Sequence, residues 1–148
     1  MALVEEFSKY IIVRFYAQKN KEFNEPFDGI VYALMVSMGL AALENILYTF
    51  QYGFRVGFTR AFTAVLAHAT FGIIMSYFMG KAKFCNNRMK FNLLGLLFAI
   101  FFHGSYVFFL FINSISGIYI GVFVSLLIGI MFSKKAISRH QNSSSFKV

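Results

Sequence analysis

Long apolar stretches alternate with short polar ones along the chain, and the apolar stretches have the length of membrane helices. Helices are predicted over residues 2–18, 27–52, 57–80, 91–113 and 117–132. Crossing a bilayer takes roughly 20 apolar residues, so the pattern predicts about five spans. Pro26, Phe27 and Asp28 mark the start of the second helix. Proline is tolerated in a first turn, and an acid there complements the helix dipole. Tyr52 and Gly53 close that helix, and Ser114, Ser116 and Gly117 form the turn between the last two. Residues 133–148 are polar and Ser-rich, and are expected to form a loose tail. The expected organisation is a helical membrane domain over 1–132 and a basic cytoplasmic tail over 133–148.

Composition supports this reading. Of 148 residues, 58% are apolar and 14% charged, against about 45–50% and about 25% in soluble domains. A water-soluble globule and a disordered chain are both excluded. The single cysteine, Cys85, excludes a disulfide scaffold, and in a cytosolic loop it is expected to stay reduced, with no role. Basic residues fall in short clusters between apolar runs, which argues against a nucleic-acid partner.

The net charge of +8 is unevenly placed. Lys19 and Lys21 follow the first helix, Lys81, Lys83, Arg88 and Lys90 follow the third, and Lys134, Lys135, Arg139 and Lys147 lie in the tail. With five spans these segments share one side, and only Arg55 and Arg60 lie near the other. Positive loops stay in the cytoplasm. The fold class is therefore all-α: a polytopic transmembrane bundle with its N-terminus outside and its C-terminus cytoplasmic. The lipid bilayer is a partner by necessity, with some attraction of the basic loops to anionic lipid. Residues 1–9 are not read as a signal peptide, because two acids stand where basic residues belong.

Ionisable residues inside spans are costly and read as functional by default. Here they are Glu5, Glu6, Lys9 and Arg14 on the first helix, Glu44 beside Asn45 on the second, Arg60 and His68 on the third, and His103 on the fourth. At 1.5 Å per residue, Glu44, His68 and His103 lie about 12, about 16 and about 15 Å from the outer ends of their helices. Three separate helices thus place them at similar depth, with the Glu5–Glu6 pair above. Such a set suits a metal site, since catalytic zinc takes three N or O ligands and keeps one open position. Small residues share faces with both histidines: Ala64, Gly72, Ser76 and Gly80 on one helix, Gly95 and Ala99 on the other. These faces let helices approach closely in lipid and turn both rings inward. Gly117, Gly121, Ser125 and Gly129 read as a packing face of the last helix. Simpler readings stay open: each histidine as an interhelical hydrogen-bonding group, Glu5 with Lys9 as a helix-end pair, Glu44 as a neutral acid. His140 is expected to be solvated in the tail.

The ordered motifs resemble the PrsW family of intramembrane metalloproteases, related to the CAAX-protease and bacteriocin-processing group. EExxK appears as Glu5-Glu6-Phe7-Ser8-Lys9, followed by Asp28-Gly29-Ile30-Val31-Tyr32-Ala33 and Glu44-Asn45-Ile46-Leu47-Tyr48. Arg60, His68, Gly72 and Gly80 form the third region, and His103-Gly104-Ser105-Tyr106-Val107 the fourth. The resemblance covers nearly all of residues 4–132. It implies a zinc-dependent endopeptidase cleaving a membrane-protein substrate near the outer leaflet. His68 and His103 would be ligands with Glu44 as the third, and Glu5 or Glu6 the general base. Lys9 would hold one Glu ionised or stabilise the oxyanion, as would Arg60, with Asn45, Tyr48, Asp28 and Tyr32 in support. Because Glu5 shares a face with Lys9, Glu5 is expected to pair with it and Glu6 to be the base; the carboxylate roles are interchangeable on sequence alone. Two departures accompany the match. Further spans usually precede EExxK, and Val107 stands where the fourth motif ends in an acid. They leave an alternative, a truncated non-catalytic relative serving as a membrane scaffold. A small proton-coupled carrier is a weaker third reading.

Overall fold

A computed structural model describes residues 1–111, 118–142 and 144. Among the described residues there is no strand. The helices are α1 (Ala2–Phe15), α2 (Pro26–Tyr52), α3 (Phe54–Phe62), α4 (Ala64–Lys83), α5 (Arg88–Phe111) and α6 (Ile118–Asn142), with a 3-10 turn at Ala17–Lys19. Among the described residues, three stretches are long and apolar enough to cross a membrane: Pro26–Tyr52, Phe54–Lys83 and Arg88–Leu110. The chain is a helical membrane protein. The expected turn at Ser114, Ser116 and Gly117 lies outside the described residues, as does Lys147.

Several predicted boundaries shift by about three residues, and two predicted helices differ more, each for a local reason. The third predicted helix starts earlier and breaks at Thr63, whose N–H donates to Arg60 O, three residues back, at 3.3 Å. Thr59 and Thr63 turn their hydroxyls onto the carbonyls of Arg55 and Thr59, both at 3.0 Å. Such back-bonding bends helices. The last predicted helix continues through residues 133–142, so the expected loose tail is helical there. Lys134, Lys135 and Ala136 are good helix formers, and Arg139 complements the dipole in the last turn.

The helix carrying His68, α4, is the most deeply enclosed element, and most of its length from Ala67 to Ala82 is buried. Its small residues explain how neighbours come so close. A Cβ on Gly29 would lie 2.5 Å from Gly80 Cα, so α2 and α4 touch backbone to backbone there. At Gly72 a Cβ would meet Ser37 Cβ at 2.8 Å. On α5, Gly95, Ala99 and His103 are all buried, and a Cβ on Gly95 would lie 2.6 Å from Met75 O. The expected packing face of α6 is present at Ser125 and Gly129, both buried, with Gly129 against Thr70.

The basic segments gather at one end of the bundle. Lys83 Nζ donates to Asn20 O at 2.9 Å and Phe23 O at 2.5 Å, tying the end of α4 to the α1–α2 link. His140, expected to be solvated, is instead 2% exposed, and its Nδ1 donates to Pro26 O at 2.9 Å. Gln18 Nε2 donates to Met79 O and Asn92 Oδ1, both at 2.8 Å, and so locks α4 and α5 to the end of the first predicted helix.

Candidate active site

Five helices bring Glu5, Glu6, Lys9, Glu44, Arg60, His68 and His103 together. On α1 the apolar residues Leu3, Val4, Phe7, Ile11 and Ile12 face outward, while Glu6, Lys9, Tyr10 and Val13 are buried. In lipid this polarity is natural, because polar groups need protein partners. The spacing 6, 9, 10, 13 is one helical face.

Lys9 is the hub. Its Nζ donates to Glu6 Oε1 at 2.5 Å and to His68 Nδ1 at 2.9 Å. Glu6 Oε1 also accepts from His103 Nδ1 at 2.7 Å. These bonds set the imidazoles. His103 gives its Nδ1 hydrogen to a carboxylate, which leaves the Nε2 lone pair free. His68 Nδ1 accepts from a donor-only ammonium, which leaves its hydrogen on Nε2, 3.3 Å from Glu44 Oε2. The two rings meet edge to face at 5.1 Å, and Phe71 stacks on His103 at 5.0 Å.

Glu5 faces both Nε2 atoms. Its Oε2 lies 3.8 Å from His68 Nε2 and 3.6 Å from His103 Nε2, is buried, and makes no hydrogen bond. The expected division of the pair is therefore reversed: Glu6 pairs with Lys9, and Glu5 meets the histidines. Glu44 Oε2 accepts from Arg60 Nη2 at 3.3 Å, and the Arg60 guanidinium lies 3.7 Å from the centre of the Tyr48 ring. Glu5, Glu44, His68 and His103 line one cavity of about 170 Å³, with Tyr48, Arg60, Tyr106 and Val107 in its wall.

The fit to a metal can be tested on these atoms. One oxygen of Glu5 and one nitrogen each of His68 and His103 lie within 4.8 Å of one another. Two donors bound tetrahedrally to one zinc stand about 3.4 Å apart. The Glu5–His103 and Glu5–His68 separations are close to that value, and the unpartnered Glu5 oxygen supplies an anionic donor. His103 presents its lone pair as it stands; His68 does so after giving up its Nε2 hydrogen. Glu5 and Glu44 in one cavity repel unless a cation or proton lies between them. The residues fit a three-ligand site, and Glu44 lies outside the set of mutually close donors.

Not every expected site residue is here. Asp28 Oδ2 accepts from the backbone N–H groups of Asn24 at 2.8 Å and Glu25 at 2.9 Å, and so caps the far end of α2. Tyr32, at that same end, accepts from Asn20 Nδ2 at 3.0 Å and stacks on Phe23. Asn45 is adjacent to Glu44, with its Oδ1 buried and unbonded. Phe71 escaped sequence reasoning, though it lies three residues beyond His68 and so near its face, while Tyr106 stood in the fourth motif without a role of its own.

The fold and site define a helical membrane bundle with an internal carboxylate–imidazole cluster that could hold a metal ion. A family model described as "PrsW family intramembrane metalloprotease" matches residues 1–132. The chain belongs to that family. It is 42% identical over 127 residues to "Protease PrsW" of Geobacillus kaustophilus, covering 85% of this chain and 56% of that protein. To "Protease PrsW" of Oceanobacillus iheyensis it is 46% identical over 111 residues, covering 74% and 52%. To that of Bacillus subtilis it is 41% identical over 109 residues, covering 72% and 50%. The chain spans about half the length of these curated relatives. No solved structure matches it.

Proposed function

We propose that this chain carries the catalytic helices of a multi-pass, zinc-dependent intramembrane endopeptidase of the cell membrane. Its substrate is a membrane protein, cut near the outer leaflet. The observation that supports this most is the convergence of Glu5, His68 and His103 from three helices, with Glu5 Oε2 buried and unbonded. These three would hold the metal. Bound zinc supplies Lewis acidity, polarising the scissile carbonyl and making hydroxide accessible near neutral pH.

The chain's own residues do the rest. Glu44, which the sequence offered as the third ligand, becomes the general base, since it lines the same cavity opposite Glu5. Water adds to the carbonyl carbon, and its proton passes to Glu44 and then to the leaving amine as the C–N bond breaks. Arg60 donates to Glu44 and aims it, and is itself braced on Tyr48. Glu6 and Lys9 are positioning residues that fix the imidazole rings. Ala67, Tyr106 and Val107 in the cavity wall limit access of bulk water.

Two measurements test this. Purified chain should retain about one zinc, and His68→Ala, His103→Ala and Glu5→Gln should each lose most of it, while His140→Ala keeps it. Equal zinc in all four variants would remove the site. Glu44→Gln should keep zinc and slow cleavage of a co-expressed single-span substrate by about 100- to 10,000-fold. Undiminished cleavage by Glu44→Gln would refute its role as base. Well-folded protein without metal would favour the non-catalytic scaffold, for which Val107 in the cavity wall is the motivating feature.

A further inference from the structure

At the basic end of the bundle a second cavity, of about 180 Å³, lies between α4, α5 and α6. Its walls are apolar, built from Ile74, Phe78, Phe98, Phe102 and Phe132. Lys135 and Arg139, one helical turn apart on α6, close one end. Tyr77 lies between walls and rim, and its hydroxyl accepts from Lys81 Nζ at 2.8 Å and from Arg139 Nη1 at 3.3 Å. A neutral phenol accepts both bonds and leaves the Lys81 charge uncancelled. No carboxylate among the described residues lies within ion-pair distance of Lys81 or Lys135.

We propose that this groove is a binding site for one anionic phospholipid. Its phosphate would be held by Lys81, Lys135 and Arg139, and an acyl chain would lie against the phenylalanines. Charge complementarity selects an anion, since three cations converge where no described acid pairs with Lys81 or Lys135. The apolar walls select an anion carrying a hydrocarbon chain. Phe98 and Phe132 are exposed on the outer surface of the bundle, so the groove opens where acyl chains lie. The site is separate from the Glu5–His68–His103 cavity, which shares no lining residue with it.

The test uses the whole chain in equimolar phosphatidylglycerol and phosphatidylcholine, with the lipid that stays on the protein read by native mass spectrometry. The unmodified chain should retain phosphatidylglycerol preferentially. Lys135→Gln with Arg139→Gln should lower that preference by about fivefold for each basic residue removed. Lys90→Gln with Lys134→Gln removes the same charge from exposed positions outside the groove and should leave the preference unchanged. Lys135→Arg keeps the charge and should keep the preference. Soluble glycerol phosphate should not displace the lipid, because it cannot use the apolar walls. Equal retention of both lipids by the unmodified chain would overturn the proposal. So would equal loss in the two double variants, which would indicate diffuse attraction, or displacement by glycerol phosphate, which would indicate a bare anion site.

Discussion

Lys9 shows how much a single buried charge organises. It is 1% exposed and Glu6 is fully buried, so in a medium that solvates neither each compensates the other's charge, with His68 and His103 bonded to the pair. Removing one partner of a buried pair costs about 3–5 kcal/mol, because it strands the other charge. Lys9→Met should therefore lower the melting temperature of purified protein more than Lys9→Met with Glu6→Gln does, and added zinc should not rescue it. A larger loss in the double variant would mean that Glu6 is compensated by His103 alone. The pairing was only half legible in sequence. Glu5 and Glu6 stand four and three residues before Lys9, and both spacings bring side chains together on a helix. What decides is the roll of α1 in the bundle, which buries positions 6, 9, 10 and 13 and leaves Glu5 at the edge of the cavity. That roll depends on α4 and α5, which no local pattern on α1 encodes. The histidines were easier to read, because each sits in a row of small residues that can only pack inward.

At the scale of elements, close helix contact and the docked end of α6 make separate predictions. Gly29 meets Gly80 so closely that Gly29→Val must push α2 from α4, at about 1–3 kcal/mol for overpacking. Gly39 sits on the same helix with open space beside it, so Gly39→Ala should leave the melting temperature unchanged or raise it. Similar losses from both would mean that helix propensity, not contact, is at work. The end of α6 was misread because its polarity was taken for looseness. Its partners are remote in sequence: His140 bonds to Pro26 O, and the Tyr77 ring lies tilted against its imidazole at 4.8 Å. Burial holds the His140 pKa below its ordinary value, opposed by the Pro26 carbonyl and by Glu25 and assisted by Lys81. The folded state thus binds a proton less readily than the unfolded one. The docking free energy is fully present above about pH 6.5, the ordinary histidine value, and is lost as pH falls below it. Amide exchange over residues 133–142 should accelerate on acidification and become pH-independent, after correction for intrinsic rates, in His140→Phe. Unchanged protection down to pH 5 would show that the histidine does not gate the contact.

For the whole molecule the open variable is direction, since three membrane-competent helices define the fold without saying which end faces the cell interior. The structure gathers the basic segments at one end, through Lys83 on Asn20 and Phe23 and through His140 on Pro26, and leaves Arg55 and Arg60 at the other. Positive charge concentrated on one face orients that face to the cytoplasm. The Glu5–His68–His103 cavity, which Arg60 lines, would then open toward the outer leaflet, and the basic lipid groove toward the inner one. Cys85 is a ready probe, because it is the chain's single thiol and is partly exposed in the α4–α5 link. A membrane-impermeant maleimide should leave it unlabelled in intact cells and label it once they are permeabilised. Arg55→Cys with Cys85→Ser should give the opposite result, since Arg55 is exposed at the other end. The pair controls for thiol reactivity, which a single site would not. Labelling of Cys85 in intact cells, with protection at position 55, would invert the molecule. Substrate would then be cut near the inner leaflet, and the anionic lipid would have to come from the outer one, while the distances within each site would stand unchanged.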